Sequence, residues 1–248
     1  NSKGLFENGS GAEAYADTVM LFLGLCLGKM AQANNVLTRW VIDPRNGSAK
    51  AVQSFDRHAV PMVWDFVETN PFGGSVGDWL GPVVKTALLA LNLSVKDGIR
   101  GQTGQLDARN LPDSLAGKCL IATDPPYYAN IGYADLSDFF YIWQRKALRE
   151  TFPNLFRTIG TPKASELIAS PFRHEGNRVA ADEYFRNGFV EVFSAAVKLQ
   201  HPELPMVIVY AYKQKDSDDE GIVGTGWEAM LEAITKSGLS VVGTLPIR

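Results

Sequence analysis

The sequence predicts an α/β protein with an N-terminal helical portion, and three observations carry the prediction. Beyond residue 104, compact apolar runs alternate with helix-length stretches, the order in which a parallel sheet and its covering helices are laid down. Before it, apolar residues recur at helical spacing over two long stretches and leave a single short strand candidate. The chain has 248 residues, 46% hydrophobic and 21% charged. That is long enough to bury one or two cores, and it excludes collagen, coiled coil and disorder. Two portions follow, a helical and loop portion over 1–103 packed on the sheet, and an α/β portion over 104–248.

From Ala12 to Leu37 the chain is apolar at helical spacing without a proline, and Ile42-Asp-Pro-Arg-Asn-Gly-Ser48 then supplies turn chemistry. A long helix followed by a loop is expected. Met62 to Phe66 fits a short strand, Asn70 to Asp78 a glycine-rich loop, and Leu80 to Leu93 a second helix. Leu111 to Ala116 is at most one helical turn. Cys119-Leu-Ile-Ala-Thr-Asp124 is a compact apolar run stopped by two prolines, as a buried parallel strand would be. Helices follow over Leu136 to Arg149 and Tyr184 to Leu199. Met206 to Ala211 is a second buried strand, Trp227 to Lys236 a helix closed by Gly238, and Leu239 to Ile247 a last strand.

The net charge of -3 excludes a global basic field, so any nucleic-acid partner has to be argued locally. Residues 141–178 hold seven cations (Arg145, Lys146, Arg149, Arg157, Lys163, Arg173, Arg178) against Glu150, Glu166 and Glu175, a local +4 that leaves -7 elsewhere. This basic insertion at 145–178 either follows a phosphate backbone or is a solvated face. Cys26 and Cys119 make neither a disulfide framework nor a zinc ribbon, which suits a reducing, cytoplasmic home. His58, His174 and His201 have no ligand spacing, so no metal is expected. Val19 to Gly28 is half a membrane span and reads as a buried helix, with no charged segment before it to make a secretory signal. Asn1 in place of Met and the strand-like run ending at Arg248 suggest a piece of a larger protein.

The chemistry is concentrated in Asp124-Pro125-Pro126-Tyr127, at the carboxyl end of a predicted buried strand, where open α/β sheets bind ligands. Two consecutive prolines fix φ near -65° and remove two donors, leaving rigid carbonyl acceptors. Such a turn suits an amine. Asp124 accepts one hydrogen of an exocyclic amine, the Pro125 carbonyl accepts the other, and Tyr127 offers a flat face to the base.

This motif resembles the catalytic motif of S-adenosylmethionine-dependent amino-methyltransferases acting on adenine or cytosine. By that resemblance Asp124 and the carbonyl of Pro125 hold the target amine, Pro126 belongs to the same catalytic turn, and Tyr127 stacks on a base flipped from the duplex. Asp124 through Trp143, Val63-Trp-Asp-Phe-Val-Glu-Thr-Asn-Pro-Phe72, and Gly226-Trp-Glu-Ala-Met230 to Leu245-Pro-Ile-Arg248 are similar to the C-terminal half of large adenine-specific DNA methylases, some with a zinc ribbon. The ribbon cysteines are absent here. The family's cofactor loop lies upstream of the matched region. The resemblance thus implies a Rossmann-like methyltransferase sheet, incomplete in this chain, with DNA as partner and an N-terminal portion of the same protein carrying the cofactor loop. The portion over 104–248 would be the catalytic one.

For S-adenosylmethionine the chain offers Asn70-Pro-Phe72-Gly73-Gly74-Ser-Val-Gly77, a glycine-rich loop before a helix. Too little chain lies between that helix and Asp107 for the strands and helix a cofactor half requires, so a substrate-side or structural loop is the alternative. Asp107, seventeen residues before Asp124, corresponds by resemblance to an acid that meets the cofactor adenine; a turn or helix-cap aspartate is the alternative. Tyr128 and Tyr133 are placed to line the target pocket, with Arg173 and Arg178 on phosphates. Phe139-Phe-Tyr-Ile-Trp143 reads as helix core more readily than as a base platform, and Lys213, just past the second strand, faces the same crevice or, as one lysine there normally does, the surface. Asp65 and Glu68 fit either the target or a helix cap. The expected activity is methyl transfer to an exocyclic amine of DNA, adenine first. RNA or cytosine as substrate, and a catalytically incomplete nucleic-acid-binding or interaction module, are the alternatives.

Overall fold

The computed structural model describes residues 3–56, 62–74, 77–92, 101–129, 131–211 and 223–246. The chain divides into two compact units, Asn1–Gln102 with Tyr133–Pro162, and Thr103–Gly132 with Lys163–Arg248. The architecture is broadly α/β, with helices and two short two-stranded sheets among the described residues.

In the first unit, helix α1 (Ala12–Ala33) ends four residues before the expected Leu37. The asparagines explain the stop. Asn34 and Asn35 turn their side-chain amides back onto the Met30 and Ala31 carbonyls, and Asn35 Oδ1 accepts from the Leu37 N–H at 2.8 Å. The small residues Ala14, Gly24, Cys26, Gly28, Ala31 and Ala33 are buried, and a Cβ at Gly24 would meet the Leu148 side chain of helix α3 (Tyr133–Leu148) at 3.2 Å. Tyr15, Met20 and Leu25 remain exposed, so α1 is buried on one side only, not throughout as its apolar run suggests. By length and composition alone it is long and apolar enough to cross a membrane.

After α1 comes a hairpin that the helix-and-loop expectation missed. Strands β1 (Arg39–Ile42) and β2 (Ala49–Val52) pair antiparallel around the Asp43–Ser48 turn, with Gly47 at φ 69°. Of the strand expected over Met62 to Phe66, only an antiparallel bridge from Phe66 to Arg39 forms. Helix α2 (Leu80–Asn92) matches the expected span and is capped by Asp78, whose carboxylate accepts from the Gly81 N–H at 2.8 Å.

In the second unit, strands β3 (Ala122–Thr123) and β4 (Val207–Ile208) pair in parallel, in the register Ala122↔Val207 and Thr123↔Ile208. Both are shorter than their apolar runs because proline has no N–H to extend a ladder: Pro125 and Pro126 stop β3, while Pro202 and Pro205 interrupt the approach to β4. Gln200 bridges the interruption, its amide accepting from the Ile121 N–H and donating to the Leu204 carbonyl. Between the strands in sequence lies helix α4 (Arg178–Leu199), capped at Asn177, whose side chain accepts from the N–H groups of Val179 and Ala180. Helix α5 (Val223–Lys236) packs on it. The expected strand from Leu239 does not form over 239–246; no neighbouring strand among the described residues pairs with it, and Val242 and Leu245 lie open to solvent.

The core of this unit is an aromatic column. Phe185, Phe189 and Phe193 recur every fourth residue on α4 with ring centroids 4.6 and 5.8 Å apart, and pack with Leu167, Ala169, Ala229, Met230, Ala233 and Ile234. Phe189→Ala should lower the unfolding free energy by about 3–5 kcal/mol. Urea titration of the purified chain reads this directly; a loss below about 1 kcal/mol would mean that the column is not the core.

Candidate functional site

The prolines that end β3 deliver its next four residues as a rigid turn at the carboxyl end of the parallel pair. Asp124 is exposed, Pro125 is buried, and Pro126, Tyr127 and Tyr128 are half-buried. Among the described residues no donor reaches the Pro125 carbonyl, whereas the Pro126 carbonyl accepts from the Tyr128 N–H at 3.2 Å. Tyr128 adopts φ 49°, a left-handed conformation that bends the chain away from the strand. Its carbonyl accepts from the Ala169 N–H, its ring meets Phe185 edge-on at 5.2 Å, and its hydroxyl donates to Asp182 at 3.0 Å. Asp182 is held by Arg186, which also pairs with Glu232 of α5. Tyr128 is thereby fixed on three sides.

Tyr127 lies over the acid. Its hydroxyl donates to Asp124 Oδ1 at 2.6 Å, and its ring meets Tyr210 edge-on with centroids 5.4 Å apart. Tyr210 stands two residues beyond β4, so the parallel register brings the carboxyl ends of both strands to the same place. Its own hydroxyl donates to the Gly226 carbonyl at 3.2 Å, and its ring stacks on Trp227. Burial, with the neighbouring phenols of Tyr128 and Tyr127, pushes the Tyr210 hydroxyl up to about 12. It therefore stays a neutral donor. A Cβ at Gly226 would stand 3.1 Å from the Tyr128 side chain, so glycine gives the close approach where α5 passes the turn.

Neither Tyr210 nor Trp227 is among the residues that sequence reasoning selects for the site. The available signal for Tyr210 was its position just past a strand parallel to β3. Trp227 carried no such signal, because its neighbour is set by tertiary packing.

No family model, curated protein or solved structure matches the chain.

The remaining expected site residues belong to both units. Arg173 donates to the Lys163 carbonyl at 2.9 Å and pairs with Glu166 at 2.7 Å, so it is engaged within the second unit. Arg178, the first residue of α4, is exposed. Of the other cations in the basic stretch, Arg145, Lys146, Arg149 and Arg157 belong to the first unit, where Arg145 donates to the Phe156 carbonyl. Tyr133 opens α3 in the first unit and is exposed, as are Asp65 and Glu68. Phe139 and Phe140 are half-buried against Phe55. Tyr141 is buried, while Ile142 and Trp143 are exposed, so only part of that aromatic run is core. His58 and Lys213 lie outside the described residues. Among the described residues no group of three His, Cys, Asp or Glu gathers as a metal site.

The residues assigned to S-adenosylmethionine are divided between the two units, Phe72, Gly73 and Gly74 in the first and Asp107 in the second. Phe72 is 76% exposed, Gly73 and Gly74 are exposed, and Gly74 sits at φ 70°. The Asn70 side chain accepts from the Phe72 N–H and the Asn70 carbonyl from the Gly73 N–H, which leaves a self-contained turn entered from an antiparallel bridge. Both carboxylate oxygens of Asp107 accept from the Arg109 guanidinium, and Oδ1 also accepts from the Arg109 N–H, so its lone pairs are committed. As held here these groups do not fit the cofactor.

Those same bonds from Arg109 hold the Asp107 carboxyl down to about 2. A depressed folded-state value means that the pair stabilises fully above the unfolded value of 3.8, and that this stability is lost as pH falls through about 2. Because the pair is partly exposed, the effect is below about 1 kcal/mol. Asp107→Asn should flatten the acid side of the stability curve between these values, measured by urea unfolding at a series of pH values, and leave it unchanged at pH 7 relative to pH 5. An unaltered acid slope would show the pair to be idle.

Proposed function

We propose that the chain is the target-holding, catalytic part of an S-adenosylmethionine-dependent amino-methyltransferase acting on DNA, with adenine as the base. The observation that carries this reading is the rigid Asp124-Pro125-Pro126-Tyr127 turn at the carboxyl end of a parallel strand. It combines an exposed carboxylate, a carbonyl that no donor among the described residues reaches and a half-buried aromatic ring. The parallel β3–β4 pair is, in this reading, part of a Rossmann-like methyltransferase sheet. The resemblance of the motif to amino-methyltransferases supports the same assignment.

The chemistry asked of these residues is orientation. An exocyclic amine conjugated with a purine ring is a poor nucleophile because its lone pair is delocalised. Accepting one N–H at Asp124 and the other at the Pro125 carbonyl turns the lone pair out of the ring plane, and fixed acceptors do this without reorganisation. Tyr127 holds the ring by stacking, and its hydroxyl leaves Asp124 when the amine arrives. That exchange replaces one hydrogen bond to the carboxylate with another. The target edge of adenine is paired inside a duplex, so the base must be extruded first.

Tyr128 shapes the floor of this pocket, and exposed Arg178 contacts phosphate. Tyr133 is assigned to the pocket on its sequence position alone. S-adenosylmethionine, the methyl donor in this class of reaction, is bound by residues of an N-terminal portion of the same protein, with Phe72, Gly73, Gly74 and Asp107 left to structural roles. Such an enzyme would work in the cytoplasm.

Those engaged cofactor residues also favour a second reading, in which the chain alone is a catalytically incomplete nucleic-acid-binding module. Calorimetric titration of S-adenosylmethionine into the purified chain should give no binding heat; saturable binding would return the Asn70 loop to the cofactor role. In the protein carrying its N-terminal portion, Asp124→Ala should lower methyl incorporation into DNA at least about a hundredfold with DNA affinity kept. Retained activity would remove the proposal. Arg178→Ala should reduce the slope of log affinity against log salt by about one. An identical slope would take Arg178 off the phosphate path.

A further inference from the structure

Resting on the target-holding reading, we infer that Tyr210 is a positioning residue: its ring, backed by Trp227 and anchored on Gly226, holds Tyr127 as the stacking platform beside Asp124. The geometry makes a chain of contacts from Trp227 through Tyr210 to Tyr127. Trp227 stacks on Tyr210 with centroids 6.0 Å apart and planes 30° apart, and Tyr210 meets Tyr127 at 84° and 5.4 Å. The Tyr210 hydroxyl donates to the Gly226 carbonyl, so the ring cannot slide along α5 without losing that bond. Met206, Ile208 and Tyr210 itself pack against the core cluster to which the phenylalanine column belongs.

Tyr127 needs such a support. It follows two prolines that fix the backbone but not its χ1, and its hydroxyl donates to Asp124, the group that the incoming amine must take over. Once the amine arrives, that bond to Asp124 is given up. The edge-on contact with Tyr210 then keeps the Tyr127 face presented to the base. Edge-to-face pairs of this geometry set orientation as well as contributing contact energy. The parallel register supplies the location, because Thr123↔Ile208 sets Tyr127 four residues past one strand and Tyr210 two past the other.

The test uses the full 248-residue chain and a single-stranded oligodeoxynucleotide carrying one 2-aminopurine, whose fluorescence is quenched on stacking against an aromatic ring. Wild type should quench it saturably, and Tyr127→Ala should not. Tyr210→Leu should weaken quench-detected binding about fivefold, while Tyr210→Phe, which keeps the ring contacts but loses the Gly226 anchor, should fall between Tyr210→Leu and wild type. Val190→Ala, which thins the same core away from the turn, separates loss of stability from loss of positioning; its binding should be unchanged. Equal binding by Tyr210→Leu and wild type, or an equal loss in Val190→Ala, would overturn the positioning role and leave the target-holding reading standing. Absence of quenching by wild type would overturn both.

Discussion

The parallel register of β3 and β4 is the constraint on which the second unit depends. Pairing Ala122 with Val207 and Thr123 with Ile208 aligns the carboxyl ends of two strands separated by more than eighty residues of sequence. Two parts of the candidate site hang from those ends: the Asp124 turn from one, Tyr210 from the other. The helices serve that alignment. α4 ends by handing its last carbonyls to the start of the β3 run, through Gly117 to Lys198 and Cys119 to Leu199. Its aromatic column gives the pair an apolar floor. A slip of one residue would turn Thr123 and Ile208 to opposite faces and part Tyr127 from Tyr210.

The helices were legible in the sequence because their signals are local. Apolar spacing gave α2 within one residue, and Asn177 after Gly176, a capping signal, marks where α4 begins earlier than its apolar periodicity alone suggests. The strands were less legible, for an identifiable reason. Apolar runs report burial, whereas a ladder also needs N–H donors and a partner. Prolines 125, 126, 202 and 205 trim both partners of the parallel pair, and the run from Leu239 has no partner among the described residues. The β1–β2 hairpin was hidden for the opposite reason. Its turn was recognised, but Arg39–Ile42 and Ala49–Val52 are too short and too exposed to announce themselves as strands.

The candidate site divides in the same way. Asp124 to Tyr127 is contiguous, and its meaning comes from residue chemistry at a strand end, so it could be read directly. Tyr210 and Trp227 reach it only through tertiary packing. Asp107 shows the limit of spacing as a guide: its position suited an adenine-binding acid, yet Arg109, two residues on, occupies both its oxygens. Arg173, chosen for its charge, is similarly engaged by Glu166 and the Lys163 carbonyl. A charged residue selected by position alone is as free as its nearest counter-charge allows.

The proposed function requires Asp124 and the Pro125 carbonyl to act together as acceptors for an exocyclic amine. The most direct measurement compares two single-stranded oligodeoxynucleotides that differ at one position, adenine in one and purine lacking the 6-amino group in the other. Stacking on Tyr127 is nearly the same for both, so the difference isolates the amine. The account predicts that the chain binds the adenine oligonucleotide about tenfold more tightly, and that Asp124→Ala binds the two equally. Equal affinity for adenine and purine in the wild-type chain would contradict it.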